Sequence, residues 1–160
     1  MIGILSDSHD NLHKIKSAVR LFNELNCTLV IHAGDFVAPF AVRALAGLGC
    51  PVKAVFGNCD GEKAGLAKAF EGWGEISEPS LRFVHEERSF LVTHDDCGLE
   101  RLLGARPPDI IVFGHTHRAE VKKEHGVLFI NPGEAGGWLQ GKSTIALLDP
   151  DDLSVKIMTL

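Results

Sequence analysis

The chain has 160 residues, 45% hydrophobic and 23% charged, with a formal net charge of -5. That is the size and make-up of a single globular domain spanning 1–160, and the negative balance argues against a nucleic-acid coat protein or a partner for anionic membranes. No apolar run approaches the roughly 20 residues that a membrane helix needs, and the N-terminus opens without a basic leader, so a cytoplasmic protein is expected.

Met1–Leu5 reads as a short apolar strand. Ile15, Ala18, Val19, Phe22 and Leu25 follow at helical spacing, with Asp10 or Asn11 as the cap. Thr28–Ala33 is a second buried strand, Phe40–Leu48 a helix, Pro51–Phe56 a third strand and Glu62–Glu71 a third helix. This β-α-β-α-β order predicts a parallel sheet covered by helices. The second half changes character. Ser80–Val84 and Ser89–Thr93 form a hairpin around His85–Arg88, and a short helix is expected at Leu99–Leu103. Ile110–Phe113 is a strand. Ala119–Glu124 and Val127–Ile130 flank a His125-Gly126 turn, and Thr144–Leu148 and Leu153–Met158 flank Asp149–Asp152. The four cysteines, Cys27, Cys50, Cys59 and Cys97, form no CxxC pair and read as reduced thiols.

The chemistry lies where the apolar strands stop. Leu5 leads to Ser6-Asp7-Ser8-His9, and Ile31 to His32-Ala33-Gly34-Asp35. Phe56 leads to Gly57-Asn58-Cys59-Asp60, Val92 to Thr93-His94-Asp95-Asp96, and Phe113 to Gly114-His115-Thr116-His117. Ligands of α/β sheets gather at the carboxyl ends of strands. Gly34, Gly57 and Gly114 each precede a candidate ligand, where a missing Cβ lets the chain approach an ion closely. Asp7 with His9, and His115 with His117, are i, i+2 pairs, which in extended backbone project to one side. The candidate metal ligands are Asp7, His9, Asp35, Asn58, His94, His115 and His117. Imidazole, carboxylate and amide donors suit divalent manganese, iron, cobalt, nickel or zinc. They are too many for one tetrahedral ion and suit two ions sharing a carboxylate, an apparatus used for phosphoryl transfer. Only Asp7 and Asp35 carry charge, so two bound ions would keep much of their positive charge for a phosphate.

The ordered set Asp7-x-His9, Gly34-Asp35, Gly57-Asn58, His94 and Gly114-His115-x-His117 resembles the calcineurin-like metallophosphoesterases. It is most similar to their small single-domain members, the YfcE-type phosphodiesterases. The resemblance covers nearly the whole chain, from Asp7 to the Asn131-Pro132-Gly133 turn. It implies a four-layer α-β-β-α sandwich of two mixed sheets flanked by helices. It implies one metal on Asp7, His9, Asp35 and His117, and a second on Asp35, Asn58, His94 and His115, with Asp35 bridging. Two divalent ions are expected, manganese first. A water or hydroxide between them would attack a small phosphodiester in line. Asp35, Asn58, His94 and Cys59 are the candidate catalytic residues, and Asn58 and Asn11 the candidate substrate contacts.

Three departures stand out. Cys59 occupies a position where many superfamily members have a His thought to assist the leaving group, and a thiol near pKa 8.5 is a poor substitute. Diesters with good leaving groups are therefore expected to be preferred. Asp95 and Asp96 replace a Gly-His pair, and Glu134 replaces a Ser. If they border the metals they repel highly anionic substrates. His32 reads as a packing histidine or one that supports a ligand from behind, and Asp60 as a similar support or a helix cap. His13, His85 and His125 read as solvated. Trp73 and Trp138 read as core residues, with the mouth of the site as the alternative. The competing functions are a phosphomonoesterase, a protein-recruitment scaffold with the same fold and, ranked low, a DNA nuclease. The oligomeric state is left open, a homo-oligomer included.

Overall fold

The computed structural model describes residues 1–97, 99 and 106–160. In the first half β1 (Ile2–Leu5), α1 (Leu12–Glu24), β2 (Leu29–His32), α2 (Pro39–Leu45), β3 (Val52–Val55) and α3 (Lys63–Phe70) alternate as expected. Helix α1 buries Ile15, Ala18, Val19 and Phe22, one stripe of its surface. Asn11 caps it, its Oδ1 accepting the Lys14 N–H at 3.3 Å. Leu25, expected on the same stripe, is the C-cap residue and is 41% exposed. Helix α2 starts at Pro39, where the missing N–H has no helical partner to lose.

After α3 comes one strand that was not expected, β4 (Gly74–Ser77). The others are β5 (Ser80–His85), β6 (Arg88–Thr93), β7 (Ile110–Val112), β8 (Ala119–Glu124), β9 (Val127–Pro132), β10 (Thr144–Leu148) and β11 (Val155–Thr159). They form two mixed sheets. The first runs β11-β10-β1-β2-β3-β4, with β1 to β4 parallel and β10 and β11 antiparallel at one side. The second runs β5-β6-β7-β9-β8, with β6, β7 and β9 parallel and β5 and β8 antiparallel edges.

The sheets pack face to face. Ile2, Ile4, Leu29, Ile31 and Val55 of the first meet Phe90, Val92, Ile110, Val112 and Ile130 of the second. Side chains of opposite parity on the first sheet, among them Val30, Val52 and Ala54, pack against the three helices through Ala18, Phe22, Val42 and Leu66. Strands β1 and β2 are thus buried on both faces, which accounts for their unbroken apolar runs. On the outer face of the second sheet, Leu99 packs with Leu91, Ile111, Phe113 and Val127. The remainder of the helix expected at Leu99–Leu103 lies outside the described residues. Edge strand β8 is exposed along its length and carries Glu120, Lys122, Lys123 and Glu124, charges that discourage edge pairing. Among the described residues no helix is long and apolar enough to cross a membrane.

The parallel strands of both sheets deliver their carboxyl ends to one region. Backbone bonds cross there: Asp7 N–H donates to Gly34 O and Ala135 N–H to Ser6 O, while Gly114 N–H donates to His94 O. The loops that follow β1, β2, β3, β6 and β7 meet at this edge.

Candidate metal centre

The loops are not extended. Asp7, His9, Asp35, His115 and His117 take φ of 53°, 40°, 61°, 65° and 58°. Non-glycine residues held there are strained by about 1–3 kcal/mol each, and such strain concentrates at functional sites. The turns brace one another, Asp7 N–H bonding Gly34 O and His9 N–H bonding Asp35 O, both at 3.0 Å. Contrary to expectation, the i, i+2 pairs therefore do not project to one side from extended backbone. Asp7 and His9 do converge, but through left-handed turns. His115 and His117 diverge: His117 joins Asp7, while His115 turns to Asn58.

The steric need for glycine is sharpest at two of the three that precede candidate ligands. A Cβ on Gly57 would lie 2.1 Å from Asp35 Oδ1, and one on Gly114 would lie 2.0 Å from Ser6 Oγ and 2.7 Å from Asp7 Oδ2. Both backbones lie against the side chains they serve.

The donors fall into two groups. Asp7, His9, Asp35 and His117 each offer one ligand atom, all within 4.8 Å of one another. His117 Nε2 is 3.3 Å from Asp7 Oδ1, and the His9 and His117 rings stack at 5.2 Å. Asp7 Oδ1 and His9 Nε2 are buried without a hydrogen-bond partner. Burial also pushes the Asp7 carboxyl above its ordinary pKa, against the pull of Ser6, His94 and His117. A cation among these atoms would satisfy them, so the donor set fits a metal.

In the second group, His94 Nε2 and His115 Nδ1 both lie 2.9 Å from Asn58 Oδ1. The His94 tautomer follows from its other nitrogen, Nδ1, 2.7 Å from Ala33 O. A carbonyl only accepts, so Nδ1 carries a proton; burial acts to lower the His94 pKa, but Asp35 outweighs it and raises it, favouring a second proton on Nε2 between that nitrogen and Asn58 Oδ1. Two acceptors facing each other call for a proton or a metal ion between them.

Asp35 stands between the groups. Its Oδ1 accepts the Cys59 N–H at 2.8 Å, while Oδ2 lies 3.5 Å from both His9 Nε2 and His94 Nε2. Burial acts to raise its pKa, but His94 and the Cys59 N–H outweigh it and hold the carboxyl well below the carboxylate range. Asp35 is therefore an anion, as a bridging ligand must be.

Other residues hold these from behind. His32 is fully buried and stacks on Phe36. Its Nδ1 accepts the Gly34 N–H at 3.2 Å and its Nε2 meets Ser8 Oγ at 3.0 Å. Asp60 caps no helix; it accepts the N–H groups of Asp35, Val37 and Gly57. One brace escaped the sequence reading, and a second, Glu134, was singled out there only as a charge near the metals. Asn131 donates to Gly114 O and Thr116 Oγ1, holding the loop of His115 and His117. Glu134 is buried, binds the N–H groups of Trp138, Leu139 and Gln140, and lies 3.5 Å from His117 Nδ1. Those amides outweigh burial and hold its pKa low. It is thus a satisfied anion behind a histidine rather than a free charge repelling substrate.

The remaining candidates are placed as follows. Cys59 is exposed beside Asp35, and partial burial of its thiol together with that carboxylate pushes its pKa up to about 11. Asn11 is engaged, capping α1 through Oδ1 and donating to Gly136 O from Nδ2, and it lines neither cavity at the site. Asp95 lines a cavity beside His94, whereas Asp96 does not. Trp73 stacks on Phe70, as a core residue should, but Trp138 is 64% exposed at the mouth of the site. All four cysteines are unpaired.

The chain is similar to known proteins in sequence and fold. The calcineurin-like phosphoesterase superfamily domain matches residues 1–153. A phosphodiesterase of Methanocaldococcus jannaschii is 36% identical over 154 residues, covering 94% of this chain and 93% of the relative. Phosphodiesterase YfcE of Escherichia coli K12 is 27% identical, covering 94% and 88%. The solved structure of a novel archaeal phosphodiesterase matches with a TM-score of 0.92 at 34% identity over 99% of both chains. A vacuolar sorting protein of Cryptosporidium parvum matches with a TM-score of 0.66 at 18% identity, over 99% of this chain and 95% of that one, a likeness of fold alone.

Proposed function

The chain belongs to the calcineurin-like phosphoesterase superfamily, which makes it a phosphoric ester hydrolase, and we propose that it is a dinuclear, metal-dependent phosphodiesterase. The observation that carries this reading is Asp35 Oδ2, equidistant at 3.5 Å from a histidine of each donor group. One ion is assigned to Asp7, His9, Asp35 and His117, the other to Asp35, Asn58, His94 and His115. Manganese is the proposed metal, with nickel, iron, cobalt and zinc as alternatives for the same nitrogen and oxygen donors. When bound, the ions supply Lewis acidity to the phosphoryl oxygens and lower the pKa of attacking water.

The protein's own groups do the rest. The Ala33 carbonyl fixes the His94 tautomer, and Glu134 faces the far nitrogen of His117, as carboxylates do behind metal-binding histidines. Asn58 and His115 line both cavities at the site, so they are the groups proposed to touch the phosphate. The Cys59 thiol stays protonated near neutral pH and is a weak proton donor, which supports a preference for good leaving groups. Two cavities flanking one donor cluster favour a diester, with two substituents, over a monoester. Unpaired cysteines support a reducing compartment, the cytoplasm.

The test is a screen of mono- and diesters with each metal supplied in turn and Asp35→Asn as control. Diester turnover that depends on added metal and is lost in the control is expected. Full activity in Asp35→Asn would overturn the bridging role, and monoesters turned over in preference to all diesters would overturn the diesterase reading.

A further inference from the structure

The two cavities differ in chemistry. One, about 540 Å³, extends from Asn58 and His115 toward Phe56, Lys63, Glu78 and Asp95. The other, about 470 Å³, holds His9, Asp35 and His117 at its base and is walled by Trp138 and Leu139. These two apolar side chains are 64% and 71% exposed, beside a floor of buried polar groups. An exposed Trp-Leu pair on a loose surface loop would be unremarkable, but this pair is fixed. The indole Nε1–H donates to His9 O at 3.2 Å. The Trp138 N–H donates to Glu134 Oε1 at 2.6 Å, and the next two amides are held by the same carboxylate. Glu134 is 1% exposed, so the anchor itself does not move freely.

The indole is thus tied to the backbone of a candidate metal ligand, with its apolar surface left uncovered. A preorganised aromatic face binds a flat partner without first having to be ordered. Stacking of a ring on an aromatic side chain is tolerant of the ring's identity and strong enough to set affinity. A flat ring would cover the apolar surface of Trp138 and Leu139, while Thr116 and Glu134 add polar partners in the same cavity. The Lys63 and Glu78 side chains, ion-paired with each other, and Asp95 offer such partners in the opposite cavity.

We propose that Trp138 and Leu139 form a subsite for a planar aromatic substituent of the phosphodiester, an aryl group or a nucleobase, while the second substituent lies toward Lys63 and Asp95. The proposal rests on the phosphodiesterase reading above. It places the phosphate at Asn58 and His115, the residues common to both cavities.

The test uses the manganese-loaded protein and bis(p-nitrophenyl) phosphate, which presents an aryl group whichever way it binds. Trp138→Ala is expected to raise KM roughly tenfold with a much smaller change in kcat. Manganese affinity should stay within about threefold of the wild-type value, since the bond lost with the indole reaches the His9 backbone carbonyl and no ligating atom. Trp138→Phe keeps a ring but loses the bond to His9 O, and should return KM to within about threefold of wild type. A wild-type KM in Trp138→Ala, or an equal defect in both variants, would overturn the subsite alone. Absence of any diester turnover by the wild-type protein would overturn the phosphodiesterase reading and the subsite with it.

Discussion

Asp60 accepts the backbone N–H of Asp35 at 3.0 Å, with Gly57 N–H on the same oxygen and Val37 N–H on the other, each at 2.7 Å. One buried carboxylate thereby joins the loop after β2 to the loop after β3 and sets the turn from which Asp35 projects. Asp60→Ala would leave three inward-facing amides without an acceptor. The expected loss is about 3 kcal/mol of unfolding free energy in urea, with diesterase activity falling alongside it. Wild-type stability in this variant would show that the three bonds are replaceable by water.

Gly57 makes a sharper test, because its φ lies in the ordinary negative region and only space is at issue. A Cβ there would meet Asp35 Oδ1 at 2.1 Å. Gly57→Ala should weaken manganese binding roughly 10- to 100-fold, the range seen when the support of a metal ligand is disturbed. Calorimetric titration reads this directly.

His32 predicts an acid-sensitive fold. Burial, with His94 adding to it, pushes its pKa from 6.5 down to about 3. Its stabilising neutral form is complete above the unfolded value of about 6.5, and that stability is lost as pH falls toward 3. By pH 4.5 this one group should account for a loss of about 2–3 kcal/mol. In the metal-free protein, His32→Gln should be less stable than wild type at pH 7, and the gap should narrow by that amount at pH 4.5. A gap independent of pH would contradict the assignment.

Cys59 predicts a gain of function. Its thiol is held protonated by its surroundings, and an imidazole there would hold a more acidic proton near the site. Cys59→His should raise kcat for diesters with poor alcohol leaving groups on the order of 100-fold and change nitrophenyl diesters far less. An equal change for both substrate types, or no change for either, would remove Cys59 from the account of leaving-group preference.

The seven candidate ligands were legible because each follows an apolar run, and a glycine precedes several of them. What spacing did not reveal was direction. His115 and His117 point to different donor groups because both take positive φ, and nothing local in Gly-His-Thr-His states that. Strand β4 was hidden for a related reason. Gly74-Glu75-Ile76-Ser77 has one apolar residue and no period, and its existence depends on pairing with β3 and packing beside α3. Trp138 was misjudged because its position depends on His9 O, 129 residues away in the chain, and on the buried Glu134. Asn11 carried both a capping and a substrate reading, and the bond to Gly136 O that occupies its amide could be seen only in three dimensions.

The central claim is that Asp35 joins two metal ions, and counting manganese tests it most directly. Titration of the metal-free protein, followed by electron paramagnetic resonance, should give two ions per chain with the spectrum of a magnetically coupled pair. Asp35→Asn should lose the coupling. A single ion per chain, or two uncoupled ions in the wild-type protein, would contradict the account.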